Sequence, residues 1–159
     1  ILNPSLIIGP GSWNSGVGTM IKKSKLGMPF YPPGSCGLID VKDLIEIMMK
    51  LMDSNVNNER FIINSTHMSY KVLMSIIAES LGVQIPYIKL NKTLMKVLIG
   101  LDVIINKIRG KRIELSTDAV KYTTSEIVLN TQKINALIDI NYRDMKTSIK
   151  ECVDRFIEK

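Results

Sequence analysis

Histidine and tryptophan each occur once in the 159 residues, cysteine twice, and aromatic residues make up only 6%. Each scarcity excludes something. Two cysteines, Cys36 and Cys152, stand far apart in no metal-ligand spacing, so neither a zinc site nor a disulfide framework is expected, and a reducing compartment, the cytoplasm, fits best. His67 is the sole histidine and no acid, serine or cysteine pairs with it in any catalytic motif, so a surface loop position is expected. The few aromatics are not interleaved with the basic residues as base-stacking platforms are, which argues against nucleic acid although the net charge is +6. The local basic cluster Lys107-Ile108-Arg109-Gly110-Lys111-Arg112 reads as a solvated turn between helices. Long apolar runs are missing too. The longest, Leu94 to Ile105, is broken by Lys96, Gly100 and Asp102 and is shorter than the ~20 residues of a membrane span, so no membrane is expected. The chain opens on Ile1 with no basic and apolar leader, which reads as a piece of something longer.

What is present is globular: 45% hydrophobic, 23% charged, and long enough for one domain burying roughly 68–70% of its unfolded surface. Leu6-Ile7-Ile8, closed by Gly9-Pro10-Gly11, has the form of a strand apolar on both faces and ended by breakers, so the chain is expected to begin inside a sheet. A flexible loop, Gly11 to Gly18, leads to a helix through Met20 to Leu26. Its glycines fit neither a Walker A loop, which needs Lys where Val17 stands, nor the dinucleotide fingerprint. Phe30-Tyr31 is extended and followed by a Pro-Pro-Gly turn, and Gly37 to Val41 forms another strand. Asp43 is positioned to cap a helix with the apolar stripe Leu44, Ile45, Met48, Leu51 and Met52, its methionines serving as core filler.

A third strand, Arg60 to Ser65, follows. Ser69 then caps a helix carrying Val72, Leu73, Ile76, Ile77 and Leu81, stopped by Gly82. Val83 to Leu90 is extended around Pro86. Helices are expected over Asn91 to Asn106, after Ser116 or Thr117, from Thr131 through Ile138, and from Asp144, the last burying Ile149, Cys152, Val153, Phe156 and Ile157. Ile127 to Leu129 reads as a small strand. The fold class is α/β: strands alternate with helices, then a helical C-terminal part follows.

Three segments carry a resemblance. Asn3-Pro4-Ser5-Leu6-Ile7-Ile8-Gly9-Pro10-Gly11 resembles the segment after the catalytic helix of extended short-chain dehydrogenase/reductases, the NAD-dependent epimerase/dehydratase and dihydroflavonol-reductase-like enzymes. Gly37-Leu38-Ile39-Asp40-Val41-Lys42-Asp43-Leu44 is similar to their Phe/Leu-Val-Asp-Val-Arg-Asp stretch. Glu59-Arg60-Phe61-Ile62-Ile63-Asn64 resembles their Gly-Glu-Arg-Tyr-Ile-Leu strand. The similarity covers the first ninety residues well and the rest loosely.

The resemblance implies that residues 1–159 are the C-terminal, substrate-binding portion of a Rossmann-type enzyme. Residues 1–11 would be the last strands of the cofactor-binding sheet and 12–159 the substrate-binding part, with the N-terminal Rossmann half absent. It implies NAD or NADP in the parent, with no binding expected of this portion alone. Pro4, Ser5, Leu6 and Ile7 would lie against the nicotinamide, and Ser12, Trp13, Phe30 and Tyr31 against a small-molecule substrate. No catalytic residue is expected. The family's Tyr-x-x-x-Lys pair is matched only by Tyr142 and Lys146, near the C-terminus and around the expected cap Asp144, out of the family's order. Nucleotide-sugar members carry an arginine just before the Val-Asp-Val stretch, where Ser35-Cys36-Gly37 offers none, favouring a carbonyl or alcohol reductase over an epimerase or dehydratase. The alternatives are a free-standing basic module for nucleic acid or an acidic partner, and a natural half-protein assembling with a Rossmann subunit. Exposed sheet surface in such a portion predicts poor solubility or a homodimer.

Overall fold

The computed structural model describes residues 1–91, 93, 124 and 128–158. All but Asn91 and Thr93 of the helix expected over Asn91 to Asn106, the start of the one after Ser116 or Thr117, the basic cluster 107–112 and Ile127 lie outside the described residues.

Among the described residues, seven short strands and five helices follow in the order β1 (Leu2–Pro4), β2 (Leu6–Ile8), α1 (Gly16–Lys25), β3 (Phe30–Tyr31), β4 (Ser35–Asp40), α2 (Val41–Met52), β5 (Phe61–Ile63), β6 (Thr66–Ser69), α3 (Tyr70–Leu81), β7 (Ile88–Lys89), α4 (Gln132–Asn135) and α5 (Met145–Ile157). The α/β class is as the sequence implies.

The opening segment serves two sheets. β1 pairs in parallel with β5, Leu2 opposite Phe61 and Pro4 opposite Ile63. Ser5 makes the last bond to that partner, its N–H donating to Ile63 O at 2.9 Å. One residue later β2 pairs in parallel with β4, Leu6 opposite Leu38 and Ile8 opposite Asp40. β4 also pairs antiparallel with β6, from Ser35 opposite Ser69 to Leu38 opposite Thr66, so it is the centre of a three-stranded sheet. β3 and β7 form a separate parallel pair.

Two apolar clusters hold these layers. One packs α1, α3 and α5 on the β2–β4–β6 sheet through Ile8, Ile21, Leu38, Leu73, Ile77, Ile149 and Val153, all fully buried. The other sets α2 and α4 against β5 through Ile39, Ile47, Ile63 and Ile134. β2 is not apolar-buried on both faces as its composition suggested: Ile8 is buried and Leu6 half-buried, but Ile7 is 39% exposed. The period of two puts Leu6 and Ile8 on the α1/α5 cluster and Ile7 on the opposite face.

Local signals decide the helix ends. Ser69 caps α3, accepting from Val72 N–H, and Gly82 closes it at φ 66° in the left-handed region glycine favours. Asp144 caps α5, accepting from Thr147 N–H at 2.9 Å. The cap of α2 is Asp40, not Asp43: its Oδ1 accepts from Lys42 N–H at 2.6 Å. Thr131 makes no side-chain cap bond, and its short helix ends at Asn135. Val128 and Leu129 lie outside any strand.

The α2 stripe is shifted. Leu44 and Ile47 are its buried apolar residues, whereas Ile45, Met48, Met49 and Met52 are 51%, 45%, 61% and 81% exposed, so the methionines are not core filler here. Val72 and Ile157 are also exposed, and Tyr70, Met74 and Met145 take buried places on α3 and α5. No helix among the described residues is long and apolar enough to cross a membrane.

Candidate functional site

Parallel strands β2 and β4 end side by side at Ile8 and Asp40. The carboxyl end of parallel strands is where open α/β sheets hold ligands, because loops and helix starts gather there. At this edge Gly9 lies so close to α2 that a Cβ would stand 2.6 Å from Val41 Cγ1. Helix α5 crosses in front. Between them lies a cavity of about 420 Å³ lined by Gly9, Pro10, Asp40, Lys42, Arg143, Ser148, Glu151 and Cys152 among others. A second cavity, about 320 Å³, is formed by Pro10, Gly11, Trp13, Arg155 and Glu158 and shares three of those residues with the first.

The larger cavity has a charged wall in which cations and carboxylates alternate. Arg143 Nη1 donates to Asp40 Oδ2 at 3.0 Å, and Nη2 donates to Glu151 Oε1 at 2.7 Å. Lys42 Nζ bonds Glu151 Oε2 at 3.0 Å, and the Arg143 backbone N–H donates to Asp43 Oδ2 at 3.1 Å. The Asp40 carboxylate is only 4% exposed, and its hydrogen-bond donors are Arg143 and the start of α2. Hydrogen bonds from Arg143 and then Lys42 hold the Glu151 carboxyl down at about 2. Burial raises Asp43, opposed by the Arg143 N–H bond. Burial also raises the Cys152 thiol. Asp40, Asp43 and Glu151 each face a cation or a backbone donor. Such an arrangement fixes α5 over the strand ends; it does not poise a proton for transfer.

The residues singled out by sequence divide between places. Trp13 walls the smaller cavity and meets the Phe156 ring edge-on, centroids 4.8 Å apart and planes at 67°. Ser12 lies beside it, and a Cβ on Gly18 would stand 2.5 Å from Ser12 O, so α1 packs directly on this loop. Pro4, Ser5, Leu6 and Ile7 form the handover between the two sheets. Ser5 Oγ is buried there and has no hydrogen-bond partner among the described residues. Phe30 and Tyr31 stand apart on β3, half-buried, with Lys71 Nζ 5.7 Å from the Tyr31 ring centroid, and they line neither cavity.

Two residues set aside on sequence grounds have structural partners. Tyr142 donates its hydroxyl to Asn135 Oδ1 at 3.0 Å, and burial followed by the Asp43 charge raises its pKa. A tyrosine acid/base needs the opposite shift. His67 lies on β6, not in a loop: Leu129 N–H donates to its Nε2 at 2.9 Å, and Nδ1 is 3.3 Å from the Asn64 amide.

Sequence reasoning missed the Asp40–Arg143–Glu151 cluster. Its central pair is 103 positions apart, and no local period or motif connects the two. The one available signal was the aspartate at the end of an apolar strand, a cap position that Asp43 imitated.

No family model matches the chain, and no curated protein does. Solved structures do. The protein gox2253 is 17% identical with a TM-score of 0.74, covering 99% of this chain and 48% of its own. A nucleoside-diphosphate-sugar epimerase from Pseudomonas aeruginosa is 17% identical, TM-score 0.72, covering 99% and 47%. The enzyme WbmG of Bordetella bronchiseptica, solved with NAD and UDP, is 16% identical, TM-score 0.69, covering 99% and 42%. The fold is therefore that of the C-terminal part of Rossmann-type epimerase/dehydratase structures, and the chain spans less than half the length of these structures.

Proposed function

We propose that this chain is the substrate-binding half of an NAD(P)-dependent oxidoreductase, a carbonyl or alcohol reductase of the dihydroflavonol-reductase-like kind, inactive without a dinucleotide-binding half. The observation that carries the reading is the fold match over 99% of the chain to part of structures that include enzymes solved with NAD. In this reading Pro4 to Ile7 border the nicotinamide. Ser5 Oγ, buried and unpartnered, fits a polar group such as the carboxamide. The backbone of Ile7 offers a donor and an acceptor to the same group. Trp13 and Ser12 wall the substrate side and exclude water, and Phe30 and Tyr31 form a more distant rim. Bound NAD(P) supplies the hydride. No residue of this chain is assigned the proton transfer, since Tyr142 is shifted the wrong way.

An epimerase or dehydratase of nucleotide sugars is the second reading, favoured by the similar structures that are such enzymes. Against it, Ser35-Cys36-Gly37, where the resemblance calls for a diphosphate-binding arginine, offers none, and Cys36 is buried with its thiol directed at Met68 O. The deciding experiment assays the product of the complete reading frame with NADPH or NADH against a panel of ketones and a panel of nucleoside-diphosphate sugars. Cofactor oxidation with ketones supports the reductase. Sugar turnover supports the second reading. A product that binds neither cofactor overturns both.

A further inference from the structure

The chain's sole histidine lines neither cavity, yet it joins two stretches far apart in sequence. His67 stands on β6 opposite Gly37 of β4. Its Nε2 accepts the Leu129 N–H at 2.9 Å across 62 positions. The Leu129 side chain closes over the same place, since a Cβ on Gly37 would stand 2.8 Å from Leu129 Cδ1. Residues 128–130 belong to no strand, so no ladder backs this bond.

Because Nε2 accepts, the neutral ring carries its proton on Nδ1. That N–H faces the Asn64 amide, 3.3 Å away on a side chain only 5% exposed. Asn64 Oδ1 is buried with no hydrogen-bond partner among the described residues. Turning the amide over leaves its shape unchanged and brings that oxygen onto the Nδ1 proton. The neutral ring thus satisfies both neighbours. The imidazolium does not: Nδ1–H still suits Asn64, but a second proton on Nε2 would point at the Leu129 N–H, donor against donor.

We propose that His67 is an acid-sensitive latch, which holds residues 128–130 against β6 while its ring is neutral and releases them when the ring takes a second proton. The switch lies in the bond between Nε2 and Leu129, because that bond distinguishes the two protonation states. No Asp, Glu, Lys or Arg occurs in the segments paired or bonded to the ring, residues 35–38, 64–69 and 128–131. Their one other titratable group, the Cys36 thiol, is pushed up to about 11 by burial and stays neutral throughout. The ring is exposed, so protons reach it from solvent. Release should stop at α4. Ile134 is fully buried, and Lys133 pairs at 2.5 Å with Glu59, whose carboxyl that lysine holds below its usual range. The latch stands independently of the oxidoreductase reading.

The test follows the Leu129 amide and the His67 ring protons by NMR in the product of the complete reading frame, between about pH 8 and pH 5, where histidine changes charge. Protection of the Leu129 amide from hydrogen exchange, corrected for the intrinsic rate, should fall about fivefold or more on acidification, with the same midpoint as the ring. Amides of α3 and α5 should keep theirs. His67→Gln, whose amide oxygen accepts without titrating, should hold the protection at both ends of the range, and His67→Phe should lack it at both. A Leu129 amide indifferent to the ring's titration in the unaltered protein overturns the latch, whatever the variants do. So does a pH response that survives in His67→Gln, or one shared by α3 and α5, which would be global unfolding.

Discussion

Arg143 clamps Asp40, 103 positions before it in sequence, and Glu151 at once, joining the N-terminal cap of α2 to the middle of α5. One guanidinium therefore sets the angle at which the C-terminal helix lies over the carboxyl ends of β2 and β4.

The first prediction concerns acid. The Glu151 carboxyl titrates at about 2 in the folded chain and near its usual 4.5 when unfolded. A depressed carboxyl contributes stability that is complete above its unfolded pKa and is lost as pH falls through the folded one. Thermal midpoints should therefore fall between pH 4.5 and 2, and Glu151→Gln should flatten that segment of the curve while lowering the midpoint at pH 7. An unchanged acid limb in the variant removes Glu151 from the clamp.

Gly37 gives the second. A Cβ there would stand 2.3 Å from Asn64 Oδ1 and 2.8 Å from Leu129 Cδ1, inside a buried contact. Gly37→Ala should destabilise the chain by about 1–3 kcal/mol, the ordinary cost of overpacking. Shortening the neighbour should relieve it, so the Gly37→Ala/Asn64→Ala pair should lose less than the sum of the single changes in a urea-denaturation cycle.

The face of α2 is tested by two neighbours. Ile47 is fully buried and Met48 is 45% exposed. In the 159-residue chain Ile47→Ala should cost about 2–5 kcal/mol. Met48→Ala should cost no more than about 0.5 kcal/mol. Equal losses in denaturant melts would mean that the helix is rotated about its axis.

Cysteine reactivity supplies the fourth. Burial pushes the Cys36 thiol up to about 11 and raises Cys152 too, so both are neutral thiols at pH 8. Labelling with iodoacetamide should be slow in the native chain and should modify both residues in urea. A raised thiol pKa also means that stability declines as pH climbs from 9 toward 11, with Tyr70, pushed up to about 12, extending the decline. Rapid native labelling of Cys36 would place that strand at an open edge.

Much of the fold could be read along the chain because its signals are local. Ser69 with Gly82 bounds α3, and Asp144 starts α5, since a cap is a hydrogen bond between near neighbours. Where two local solutions competed, sequence reasoning chose wrongly. Asp40 and Asp43 both suit a cap, and only the strand register ending at Asp40 decides between them. Helix α2 is apolar at Leu44, Ile45, Ile47, Met48, Met49, Leu51 and Met52, so more than one stripe satisfies the helical period and tertiary contacts select Leu44 and Ile47. The candidate site was read only in part. Trp13 could be placed at the strand end from the loop that follows it, but Phe30 and Tyr31 pair with β7 away from the cavities, and the Arg143 clamp is wholly long-range.

The handover at Ser5 also imposes a rule of parity. Residues 2–4 and 6–8 keep step with different partners, and only one residue separates the two registers. An insertion or deletion of a single residue there would invert the phase of one strand, turning Ile8 outward and Ile7 into the cluster beneath α1 and α5. The length of this segment is therefore as much a part of its information as its composition.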